Sequence, residues 1–211
     1  MKNNLLNTRI ISSIFILILF ILILSLNEIF FSTVLFILLI ISLYESSKFK
    51  ISKYLLYPLL IFIVFSFFLT FVLKKDFNEI FFLTLIICIS TDIGGYIIGR
   101  LIRGPKITYI SPNKTYSGAI GSLIFSLIFS LIFLKLYDIK FEIYFRSNFD
   151  FFYKVIALSL ISQIGDIFMS YCKRKSNIKD TGKLIPGHGG LLDRIDGMLF
   201  AFPVTCTYCL I

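Results

Sequence analysis

Long apolar runs alternate with short polar breaks along the whole chain. A helix needs roughly 18 or more apolar residues to cross a hydrocarbon core of about 30 Å. By that measure the pattern predicts spans near 10–26, 29–44, 54–73, 81–98, 116–136, 151–172 and 195–211. The expected architecture is all-α, a polytopic integral membrane bundle of about seven helices. Only Asn27 and Glu28 separate the first two runs, which makes a tight hairpin the expected join. No small-residue cleavage site follows Lys2 and Arg9, so the first run reads as an uncleaved helix.

Composition agrees with the pattern. The chain is 57% hydrophobic and 16% charged, against about 45–50% and 25% in soluble domains, and its mean hydropathy is +0.91. A soluble globular enzyme is excluded. The net charge of +9 does not signal nucleic acid, because the basic residues are scattered over the loops between spans rather than gathered on one face. Anionic lipid and phosphorylated ligands suit them better. With the N-terminus inside, six of the 21 Lys and Arg fall on the outer side: Lys74, Lys75, Lys135, Lys140, Arg146 and Lys154. That bias puts the N-terminus and the active-site loops on the cytoplasmic face of the cell membrane. Cys206 and Cys209 have C-x-x-C spacing without a second pair, and with Cys88 and Cys172 they read as helix filler rather than zinc ligands.

Chemistry is unevenly distributed. Residues 1–75 read as transmembrane scaffold; the polar break from Glu45 to Lys53 carries no motif and is assigned no chemistry. Residues 76–211 form the rest of one continuous membrane domain and carry every candidate site. Asp92 lies inside the fourth span, where a charge costs several kcal/mol in effective terms unless it is paired or wetted. It is either functional or ion-paired with a base such as Arg100. Gly95 and Gly99 share its helix and suit either close helix packing or ligand approach. Pro105 and Pro112 break the following loop, and Ser111, Lys114 and Thr115 precede a new helix. Its free amides and positive end suit a phosphate, although an interfacial loop with snorkelling lysines has the same composition.

In the sixth span Gln163, Asp166 and Ser170 stand at i, i+3 and i+7, on one helical face. Pro186, Gly187, Gly189 and Gly190 then turn the chain, and Asp193 and Asp196 open the last helix one turn apart. Acids at a helix start also serve as caps, but capping does not account for Asp166 at membrane depth. Carboxylates on two converging helices suit Mg²⁺, a hard cation that bridges to substrate phosphates. The Lys and Arg between them suit the remaining phosphate oxygens.

These residues carry a resemblance. Ser170, Lys173, Arg174, Lys179, Asp180, Gly182, Ile185, Pro186, His188, Gly189, Gly190, Asp193, Arg194 and Asp196 stand in the order and spacing of the phosphatidate cytidylyltransferase (CDP-diacylglycerol synthase) signature. Asp92, Gly94, Tyr96, Gly99 and Arg100, with Ser111, Pro112, Lys114, Thr115 and Gly118, resemble that family's other shared stretch. Tyr116 and Ser117 depart from it, standing where many members have Trp and Glu, and many members have a longer N-terminal half. The resemblance implies a nucleotidyltransferase that takes CTP and phosphatidate and releases CDP-diacylglycerol and pyrophosphate. It implies a metal site of Asp166, Asp193 and Asp196 holding Mg²⁺, with a second cation left open. Lys173, Arg174, Lys179 and Arg194 are then candidates for phosphate oxygens. His188 either donates to a phosphate oxygen or braces its loop, and both roles stay open.

Two other functions fit parts of the sequence. A CDP-alcohol phosphotransferase shares the D-x-x-D-G start seen at Asp193, Asp196 and Gly197, but here Met198 to Ala201 lack that family's arginine. A non-catalytic transporter would use the intramembrane acids for ion passage, and no internal repeat of the kind many transporters show is evident. The glycine pairs permit a homodimer without demanding one.

Overall fold

The computed structural model describes residues 27–109, 111, 114–137, 139, 144–182, 184 and 189–210. Six helices account for most of them: α1 Glu28–Ser47, α2 Lys53–Asp76, α3 Asn78–Ile102, α4 Tyr116–Leu136, α5 Asn148–Lys175 and α6 Leu192–Leu210. The expected first span, 10–26, lies outside the described residues. The described residues form no β-strand, and Lys106 and Thr115 make an isolated antiparallel bridge. The all-α expectation therefore holds, and α1 to α5 are each long and apolar enough to cross a membrane. The sixth helix is not among them. Asp193, Arg194 and Asp196 fall within its first five residues, leaving 197–210, about 21 Å at 1.5 Å per residue.

Helix ends follow local chemistry. Glu28 sits in the first turn of α1 and Lys74 and Lys75 in the last turn of α2, each complementing the helix dipole. Phe77 alone separates α2 from α3, with φ −135° and ψ 54° breaking the helical path. Thr115 is extended and caps α4, its hydroxyl oxygen accepting from the Gly118 N–H at 3.1 Å. α5 ends in a Schellman motif: Asn177 is left-handed at φ 56°, and the Ile178 N–H bonds back to the Lys173 carbonyl at 3.0 Å. That close fixes the last turn of α5, which carries Lys173.

The chain divides into two units, Met1–Phe67 with Cys172–Ile195, and Phe68–Tyr171 with Asp196–Ile211. In the second, α3 and α4 pack backbone to backbone. A Cβ at Gly94 would lie 2.6 Å from the Gly121 carbonyl oxygen, and one at Gly118 would lie 2.8 Å from that of Gly95. Overpacking of this kind costs about 1–3 kcal/mol. Close helix packing is thus what these glycines do, and the pairs that would permit a homodimer are engaged within the chain. Hydroxyls finish the interior. Ser122 donates to the Thr91 carbonyl, Thr91 pairs with Ser159 on α5, and Thr84 donates to Thr205 on α6. Bonds of this type average about 0.6 kcal/mol each between membrane helices.

Candidate active site

Two of the candidate acids, one in each unit, are clamped by a lysine. In the second unit, Arg103 (φ 59°) and Gly104 (φ 124°) reverse the chain after α3. The Ile107 N–H bonds to the Lys114 carbonyl at 2.9 Å and the Tyr116 N–H to the Pro105 carbonyl at 3.1 Å, closing a short hairpin. Ser117 Oγ donates to the Arg103 carbonyl and pins its base. The hairpin presents Lys114, whose Nζ meets Asp166 Oδ2 on α5 at 3.2 Å and the Gln163 carbonyl at 3.4 Å.

The other oxygen of Asp166 is different. Its Oδ1 is buried and has no hydrogen-bond partner among the described residues, and the Gln163 side-chain nitrogen shares that condition. Gly197 gives the oxygen its room: a Cβ there would come within 2.8 Å of Oδ1 and clash with Ser162 Oγ. A buried carboxylate oxygen lacking a donor is costly, and a hard cation is one ligand that would satisfy it.

In the first unit, Lys173 Nζ meets Asp193 Oδ1 at 2.8 Å, with the two side chains 12% and 7% exposed. Asp193 Oδ2 accepts from the Thr181 N–H at 2.8 Å and the Gly190 N–H at 2.9 Å. Gly189 turns at φ 89°, and a Cβ on it would stand 2.7 Å from that oxygen. Asp193 precedes the apolar part of α6. Burial pushes its carboxyl up, but the Lys173 hydrogen bond, the Gly190 N–H, the Lys173 charge and the Thr181 N–H outweigh burial and hold the pKa below the ordinary carboxylate range.

The remaining sequence candidates separate into groups. Arg174, Lys179, Asp180 and Arg194 are exposed, and Ser170 and Asp196 are half-buried; Arg194 and Ile195 separate Asp193 from Asp196 on α6. Asp92 is exposed on α3, on a different helix from either pair. Arg100 donates to the Tyr96 hydroxyl at 2.8 Å. Thr115 caps α4, as described, and the Ser111 carbonyl accepts from the Lys114 N–H at 3.1 Å, tightening the hairpin. Pro112, Ile185, Pro186 and His188 lie outside the described residues. Among the described residues no group of three or more His, Cys, Asp and Glu side chains is gathered for a metal.

Two residues were passed over in the sequence. Glu45 is 3% exposed at the end of α1, and Thr181 Oγ1 donates to its Oε2 at 2.7 Å. The available signal was that Glu45 is the only acid between Glu28 and Asp76. It was masked by Lys48, Lys50 and Lys53, which make the break look like a solvated turn.

With this geometry in place, comparison with known proteins is informative. A model described as "Cytidylyltransferase family" matches residues 50–211. A phosphatidate cytidylyltransferase of Rickettsia felis is 38% identical over 140 residues, 64% of this chain and 61% of that protein. One from Helicobacter pylori is 34% identical over 136 residues, 64% and 49% of the two chains. One from Staphylococcus haemolyticus is 39% identical over 115 residues, 54% and 42%. The matched stretch thus spans about half the length of these curated relatives.

Proposed function

The chain belongs to the cytidylyltransferase family, and from that premise we propose that it transfers the cytidylyl group of CTP to phosphatidate, giving CDP-diacylglycerol and pyrophosphate in phospholipid biosynthesis. The observation that carries the proposal is the family match over residues 50–211, which takes in the Lys114–Asp166 and Lys173–Asp193 pairs. The relatives' names point to the same lipid substrate.

The chemistry asks little of a general base. The second pKa of a phosphate monoester is near 6, so the phosphatidate headgroup is largely a dianion at neutral pH. One of its oxygens bonds to the α-phosphorus of CTP, and the bond from that phosphorus to the bridging oxygen breaks. Pyrophosphate leaves with the electron pair. The protein's task is to hold two anions in line and offset the charge growing on the leaving group.

Lys173, Arg174, Lys179 and Arg194 supply cations for phosphate oxygens through charge-assisted hydrogen bonds. Lys173 also keeps Asp193 ionised, and Lys114 pairs with Asp166. We assign Asp166, Asp193 and Asp196 to Mg²⁺, which supplies charge neutralisation at the transferring and leaving phosphates when bound; a second cation stays open. Mg²⁺ is commonly held by one or two carboxylates together with substrate phosphates and water. The donor-poor Oδ1 of Asp166 fits that role. Asp92, Arg100, Ser111, Thr115, Ser170, Asp180, His188, Gly189 and Gly190 complete the proposed substrate-binding set, and the active-site loops face the cytoplasm.

The test is pyrophosphate release by protein purified in detergent and given CTP, Mg²⁺ and phosphatidate. Release is expected only with both substrates present, and it disappears in Asp193→Asn. Folded wild type that releases none while consuming CDP-diacylglycerol with an alcohol would transfer the assignment to the phosphotransferases.

A further inference from the structure

We propose that Glu45 is a positioning residue for cytidylyl transfer, its buried carboxylate holding the loop that seats Asp193; the catalytic part of this inference rests on the function proposed above. Glu45 belongs to α1, ahead of the family match that begins at residue 50. Its Oε1 accepts from the Leu191 N–H at 3.0 Å, and its Oε2 accepts from the Leu192 N–H at 2.9 Å and from Thr181 Oγ1 at 2.7 Å. Those two amides open α6. The carboxylate therefore caps that helix from a position 147 residues earlier in the chain.

Thr181 links this carboxylate to Asp193. Its hydroxyl lies 2.7 Å from Glu45 Oε2 and 3.2 Å from Asp193 Oδ2. It has one proton to give, and the shorter contact assigns that proton to Glu45. The Thr181 N–H is then aimed at Asp193 Oδ2, beside the Gly190 N–H. One residue thus serves two carboxylates, and fixing its side chain fixes its amide.

Packing shows that the loop is shaped around Glu45. A Cβ at Gly190 would stand 2.5 Å from Oε2 and 2.6 Å from Oε1, and one at Gly182 would stand 2.5 Å from Oε1. An apolar side chain could anchor α1 without the desolvation cost of a buried charge. What a carboxylate adds is two oxygens able to take three donors at once. All three belong to the 181–192 segment, which leads directly into Asp193.

Glu45→Gln keeps the shape but turns an NH₂ donor toward one side of this donor set. The expected result is a rise of about tenfold in half-saturating Mg²⁺, as when a metal ligand loses its outer partner. kcat falls with it, and KM for phosphatidate changes less than about twofold, the signature of lost transition-state rather than ground-state contacts. Thr181→Val should move the same quantities in the same direction. The double variant should be no worse than Glu45→Gln alone, because both changes remove one shared hydrogen bond.

Amide hydrogen exchange supplies a readout independent of activity. Protection at 190–192 should drop in Glu45→Gln while the α3 and α4 amides keep theirs. Unchanged Mg²⁺ dependence, additive losses in the double variant, or loss of protection spread over all helices would each overturn the proposal. If wild type transfers no cytidylyl group, the assigned function fails, and the exchange experiment still decides whether Glu45 anchors the loop.

Discussion

Asp193 and Asp166 are both acids held by a lysine, yet their surroundings differ. Asp193 has a donor at each oxygen: Lys173 on Oδ1, two backbone amides on Oδ2. Asp166 has Lys114 on Oδ2, and its buried Oδ1 has no partner among the described residues. The pairs also differ in exposure, at 12% and 7% for Lys173 and Asp193 against 27% and 17% for Lys114 and Asp166. The first carboxylate is built into its own loop, whereas the second keeps an acceptor in reserve. We read Asp193 as the anchor of its own loop and, under the proposed function, Asp166 as the carboxylate that keeps an oxygen for a cation.

The largest effect that separates them is on activity and stability together. Asp193→Asn and Asp166→Asn should each lower kcat by roughly 10³-fold, the scale for losing one electrostatic stabiliser. Their thermal midpoints in detergent should diverge. An amide at 193 sets an NH₂ group among donors and removes the charge opposite Lys173, so the midpoint falls. At 166 the change removes a poorly satisfied buried charge, and the midpoint holds or rises.

Removing the lysines sharpens the contrast. Lys173→Met leaves a 7%-exposed carboxylate without its cation and should cost about 3 kcal/mol, the lower end for breaking a buried pair. Lys114→Met, at a more exposed pair, should cost about 1 kcal/mol. Equal losses in chemical unfolding would erase the distinction.

Gly197→Ala probes the reserve acceptor, together with its neighbour Ser162. Its methyl would crowd Asp166 Oδ1, and half-saturating Mg²⁺ should rise about tenfold while the Lys173–Asp193 pair is untouched. An unaltered Mg²⁺ titration would remove Oδ1 from the proposed metal site.

The smallest effect is on pH dependence. The folded pKa of Asp193 lies below its unfolded value, so its contribution to stability is fully present above the ordinary carboxyl value of about 3.9. It is lost as pH falls through the lower folded value. Wild type should therefore lose more stability than Asp193→Asn between about pH 5 and pH 2.

The spans were legible because apolar length is the main requirement of a bilayer-crossing helix. The fourth described helix came out at the expected limits, 116–136, since Thr115 marks its start both as a hydroxyl residue and as an observed cap. The other described helices run up to four residues beyond their apolar runs, because polar residues such as Asn78 and Lys175 continue the backbone past the apolar stretch. Asp166, Asp193 and Lys173 were visible from type and spacing. Their pairing was not, since Lys114 reaches Asp166 across 52 positions and only the hairpin after α3 brings it there. Glu45 was the hardest to see. Its partners lie 136 to 147 residues away, and two of its three donors are backbone amides, which leave no side-chain signature.

The most direct test of the central claim follows the phosphate itself. Purified wild type would be given phosphatidate, Mg²⁺ and CTP labelled either at the α- or at the γ-phosphate, and the lipid fraction counted. Cytidylyl transfer predicts that α-label enters the lipid while γ-label leaves entirely in pyrophosphate. γ-Label in the lipid, or no label in the lipid from folded protein, would contradict it.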